Sequence, residues 1–126
     1  METVRIPSGK MVIFGSPEQP LDPSLTAEIE KLLASIEGVN EAYLTEIFIM
    51  GEMNDSRQVL VTVIQNEDLL FDAIQSIKKE VGALIPNGLK LDLLPLFPDA
   101  QLLPEVRETE TALSLKRNTK GWWKIW

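Results

Sequence analysis

The stretch Val59 to Ile64 reads VLVTVI and is apolar on both of the faces a β-strand presents. Successive side chains of a strand point to opposite sides, so a strand with one face in water alternates apolar and polar residues. This one does not alternate, and it therefore belongs in the middle of a sheet covered on both sides. The rest of the chain has to supply both covers.

Around that strand the elements read βαββαβ. A first short strand runs from Met11 to Phe14 and is stopped by Gly15-Ser16-Pro17. The segment GSPEQPLDP, with three prolines, cannot be a helix interior, yet Asp22-Pro23 supplies an N-cap acceptor and a proline at the first helical position. A helix follows, with Leu25, Ile29, Leu32, Leu33 and Ile36 on one face and Gly38 as its stop. The second strand, Val39 to Met50, is long, and the polar stretch Gly51 to Ser56 returns the chain into Arg57 to Ile64 as a hairpin. Asn66 caps a second helix with Glu67 and Asp68 in its first turn, and Leu70, Phe71, Ile74, Ile77, Val81, Leu84 and Ile85 form its apolar stripe. After Pro86-Asn87-Gly88, the last strand, Leu89 to Leu96, sets Leu89, Leu91 and Leu93 against Lys90 and Asp92.

This order fits an α+β, ferredoxin-like βαββαβ sandwich: a four-stranded, mainly antiparallel sheet with helices near 23–37 and 67–85 on one face. Two helices on one face leave the other open. Either the arm after Leu96 or a second copy of the chain must cover it. We expect a domain over 1–97, an arm over 98–115 anchored by Leu102, Leu103 and Val106, and a tail over 116–126. Ala112 to Arg117 reads as a short helix or strand.

With 126 residues, 44% of them apolar, the chain can bury one core. Cysteine and histidine are both absent, which excludes disulfides, thiolate chemistry, Ser-His-Asp catalysis and ordinary zinc sites. No apolar run approaches the roughly 20 residues of a membrane-spanning helix, and METVRIPSGK lacks the features of a signal peptide, so a soluble, unexported protein is expected. The net charge of -7 argues against an electrostatic nucleic-acid binder. That charge is uneven: residues 1–115 hold all 19 acids and 8 of the 12 bases, whereas 116–126 carry Lys116, Arg117, Lys120 and Lys124 and no acid.

GKMVIFGSPEQP followed by a helix, then VNEAYLTEIF, then IPNGLKLDLLPL together resemble the C-terminal domain of the enhanced-serine-sensitivity (SseB) family. In that family a G-x-P turn, a helix, an AYL strand and a P-x-G-x-x-x-D strand recur in this order, and the resemblance covers about residues 8–97. It implies a bacterial, cytoplasmic α/β domain with no established catalytic residues. Family members often carry an additional N-terminal domain, for which this chain leaves no room.

Few residues stand out as sites. Gly15, Ser16 and Pro17 lie between a strand and a helix, where backbone amides could hold an anion, but the turn lacks the glycine-rich spacing of a phosphate loop and reads first as a simple connection. Glu41, Glu46, Asp55 and Asp92 could serve as paired carboxylates, yet nothing in their spacing brings them together, so they read as solvated surface. Tyr43, the only tyrosine, reads as a packing residue. No catalytic, metal-binding or cofactor-binding residue is expected. All three tryptophans fall in the last five residues as Trp122, Trp123 and Trp126, beside the bases. Three readings stay open for Lys116, Arg117, Lys120, Trp122, Trp123, Lys124 and Trp126: sealing of the core, docking on a protein partner, or weak association with an anionic membrane surface. The expected function is a non-enzymatic protein-interaction or accessory domain, monomeric or homodimeric, with a docking tail and no nucleic-acid partner. The alternative is a small-molecule-sensing regulatory domain acting as a dimer, an analogy from fold.

Overall fold

The two long helices start where the sequence supplies their caps. A computed structural model describes residues 1–115. In it the Asp22 carboxylate accepts the Ser24 amide at 2.8 Å, and Pro23 opens helix α1, Pro23–Ala34. The Asn66 side chain accepts the Leu69 amide at 3.2 Å at the start of α2, Glu67–Leu84. The strands are β1, Val12–Gly15; β2, Val39–Ile49; β3, Arg57–Ile64; and β4, Asp92–Leu96. A third helix, α3, Leu103–Glu108, lies in the arm.

The four strands form one mixed sheet in the order β1-β2-β3-β4. β1 with β2 and β2 with β3 are antiparallel, while β3 with β4 is parallel. This corrects the ferredoxin-like expectation. A split βαβ unit would insert a strand between the two that each helix connects, whereas here β1 lies beside β2 and β3 beside β4. Hydrophobic alternation reports which face of a strand is buried, not which edges pair, so both arrangements satisfy the same pattern.

Both α1 and α2 lie on one sheet face. Ile29 and Leu33 of α1 and Ala73, Ile77 and Val81 of α2 close over Ala42, Leu44, Leu60, Ile64 and Leu93. Val39 joins this face because a register shift between Val39 and Glu41 resets the alternation of β2. The opposite face of β3, Val59, Val61 and Val63, packs with Tyr43, Ile47, Ile49 and Leu94 beneath Leu103 and Val106 of α3. Every apolar side chain of β3 is fully buried.

Two side chains placed in the core by periodicity are outside it. Phe71 is 71% exposed and Ala73 takes its place against the sheet, since Phe71 lies about 100° around the helix from Leu70 and falls off the buried stripe. Leu89 is 36% exposed because β4 begins only at Asp92. α3 itself was not anticipated from sequence. Among the described residues no helix is long and apolar enough to cross a membrane.

Two of the sheet's outer edges are occupied. Along β4, Val4 donates to the Leu93 carbonyl and Leu93 to the Glu2 carbonyl, both at 2.7 Å. Along the first half of β2, Leu44 donates to the Thr111 carbonyl at 3.2 Å and Leu113 to the Ala42 carbonyl at 2.8 Å. The outer edge of β1 has no such partner among the described residues.

Candidate functional site

β1 is four residues long and pairs with the second half of β2. Beside it Met50 donates to the Met11 carbonyl at 3.0 Å, which sets the alternation: Met11, Ile13 and Gly15 bond inward to β2. The amides and carbonyls of Val12 and Phe14 therefore point away from the sheet. Their side chains are half-buried on the α3 side, while on the other face Met11 and Ile13 are 64% and 51% exposed, with Met50 opposite at 47%. Among the described residues the edge thus offers unpaired backbone groups flanked by apolar side chains, which proteins usually avoid presenting.

Between this edge and α3 runs a groove of about 750 Å³. Val12, Phe14 and Ser16 form one side; Glu105, Glu108 and Glu110 stand on the other, and no lysine or arginine lines it among the described residues. Glu110 holds φ 56°, a left-handed conformation at the position after a helix end where glycine is the usual occupant.

α3 is held by packing and by one ion-pair network. Leu103 and Val106 are fully buried. Arg107 grips Glu41 of β2 through two hydrogen bonds, Nε to Oε1 at 3.2 Å and Nη2 to Oε2 at 2.8 Å, and the Tyr43 hydroxyl donates to the same Oε1 at 2.6 Å. The guanidinium holds the Glu41 carboxyl below the usual carboxylate range, burial raises the Tyr43 phenol, and the Glu41 carboxylate raises Arg107 in turn. A carboxylate with a depressed folded pKa stabilises above its unfolded value of about 4.3 and loses that contribution as pH falls through the folded value. The difference in urea midpoint between the wild type and Arg107→Ala should accordingly be small at pH 7, as for exposed pairs, and shrink toward zero at pH 3. An undiminished gap at pH 3 would mean that Arg107 acts through packing alone.

The other expected site residues are engaged or scattered. The Gly15 carbonyl accepts the Thr45 hydroxyl at 2.6 Å, Ser16 Oγ donates to the Thr109 carbonyl at 3.2 Å, and the amide of Glu18 is taken by the Glu46 carboxylate at 3.2 Å. Gly15 and Ser16 are walls of the groove, and α1 begins only at Pro23. Among the four carboxylates, Glu41 pairs with Arg107 and buried Asp92 lies 3.7 Å from Arg57. Glu46 faces the opposite side of β2 from Glu41 by strand alternation, and Asp55 sits in the exposed hairpin loop. The structure does not bring them together, and no group of acids that could hold a metal occurs among the described residues. Lys116, Arg117, Lys120, Trp122, Trp123, Lys124 and Trp126 lie outside the described residues.

The sequence pattern of β1 does not show which of its edges pair, although Lys10 before a four-residue strand and Pro17 soon after it are common edge-strand marks. Comparison of the chain with protein-family models, curated proteins and solved structures finds no match.

Proposed function

We propose that this chain is a non-enzymatic protein-interaction domain, an accessory module of the SseB type working in the bacterial cytoplasm. The observation that carries the reading is β1: outward amides and carbonyls at Val12 and Phe14, with exposed Met11 and Ile13 beside them. Strand addition to such an edge is a common way to recognise a peptide, with backbone hydrogen bonds giving affinity and alternate side chains giving selectivity. The basic, tryptophan-bearing residues 116–126 enter as a second contact on composition alone.

The test is a photo-crosslinking side chain at Ile13 in the full chain, exposed to a bacterial lysate. Discrete adducts are expected, and they should vanish in Val12→Pro, which removes an outward amide without removing an inward hydrogen bond. Identical adducts from both proteins would place docking elsewhere.

One observation favours the small-molecule reading. A cleft of about 410 Å³ lined by Gln65, Asn66, Phe97 and Pro98 lies where β3 and β4 end, the end at which parallel strands usually bind ligands. Glu67 and Asp99 also line it, which disfavours anionic metabolites. A melting temperature raised by a metabolite would support that reading.

A further inference from the structure

Resting on the reading of β1 as a docking edge, the geometry points to its occupant: an extended, basic segment of a partner protein, added as a strand beside Val12–Gly15 with its cations facing Glu105, Glu108 and Glu110. The outward amides and carbonyls at Val12 and Phe14 repeat at every second residue, a spacing that an extended backbone matches and a helix does not. A strand laid there sends alternate side chains to the two faces of the sheet. On one face they meet exposed Met11 and Ile13, which ask for apolar partners.

On the other face they enter the groove toward α3. There the wall carries the three glutamates and, among the described residues, no base. The two cations nearest in sequence are spent, Lys10 on Glu52 at 3.9 Å and Arg107 on Glu41. Glu105 and Glu108 are three apart on one helix and so about 5 to 6 Å from each other, while alternate residues of a strand are about 6.8 Å apart. Two lysines or arginines separated by one residue can therefore each reach a carboxylate. The same wall speaks against a second copy. Pairing β1 with β1 about a two-fold axis perpendicular to the sheet keeps both α3 helices on one face, so each acidic wall would confront its like.

The experiment uses the full chain and two labelled synthetic peptides, one alternating lysine with valine and one alternating glutamate with valine, followed by fluorescence anisotropy. The lysine peptide should bind at least about tenfold more tightly, a difference of about 1.4 kcal/mol. Val12→Pro should abolish its binding, and the double variant Glu105→Lys/Glu108→Lys, two exposed positions, should weaken it about tenfold. Asp72→Lys/Glu80→Lys makes the same change in net charge on α2, across the sheet, and should leave binding within about twofold.

Equal weakening by both double variants would reduce the effect to overall charge and overturn the inference. Equal binding of both peptides, still abolished by Val12→Pro, would overturn the basic partner while the docking edge stands. Binding indifferent to Val12→Pro, or no binding of either peptide, would overturn both. Circular dichroism of each variant separates loss of the edge from loss of the fold, and for a misfolded Val12→Pro the same contrast is read from Phe14→Pro.

Discussion

Leu103→Ala should destabilise the protein by about 2 to 5 kcal/mol, the range for truncating a buried leucine where the surroundings relax only in part. Leu103 is only 1% exposed, and with Val106 it is the part of α3 that closes the second sheet face. That face contains Val59, Val61, Val63, Ile47 and Leu94, none of which α1 or α2 can reach. α3 is six residues long, too short to persist by its own hydrogen bonds, so its order depends on this contact. The loss should therefore be cooperative. Leu103→Ala and Val106→Ala should couple in a double-mutant cycle, and a chain ending at Leu96 should scatter light as an aggregate at concentrations where the full chain does not. An unfolding free energy for Leu103→Ala, from urea titration, within about 0.5 kcal/mol of wild type would show that the arm is dispensable.

Gly38→Ala should cost about 2 to 4 kcal/mol, joining a left-handed backbone penalty of about 1 to 2 kcal/mol to an overpacking penalty of similar size. Gly38 has φ +93°, and a Cβ built on it would stand 2.9 Å from Leu69 Cδ1 and 3.0 Å from Leu69 Cβ. The Cβ is fixed to the backbone of α2 and cannot swing aside as a side-chain end can. Gly38 also hands its carbonyl to the Gln65 amide at 2.7 Å, so it joins the end of α1 to the start of α2. Gly82 is the internal control. It lies inside α2 with open space where its Cβ would go, and Gly82→Ala should stabilise by about 0.5 to 1 kcal/mol. Thermal or urea denaturation of the two variants checks both, and equal effects of the same sign would refute the account of Gly38.

What the sequence determined by itself was what depends on neighbours within a few residues. Asp22-Pro23 and Asn66-Glu67-Asp68 place the helix starts because a cap is completed inside one turn. VLVTVI declares a central strand because burial on two faces leaves no polar alternation. Periodicity erred where an element ended or a stripe had an edge: Leu89 precedes β4, and Phe71 lies beside the buried arc that Ala73 occupies. α3 was illegible because six residues make fewer than two turns, too few for a period to emerge.

Only the tertiary structure decided which strands are neighbours. Alternation marks faces, whereas the order β1-β2-β3-β4 is settled by contacts between edges far apart in sequence. The candidate site is of the same kind. Among the described residues β1 is the open edge because Glu2–Val4 occupies β4 and Thr111–Leu113 occupies the start of β2, and its groove is acidic because Leu103 and Val106 anchor α3 with three glutamates facing it. Those residues are about a hundred positions apart in the chain, and the free energy that brings them together is burial of the second sheet face, a sum over the whole domain that no local stretch encodes.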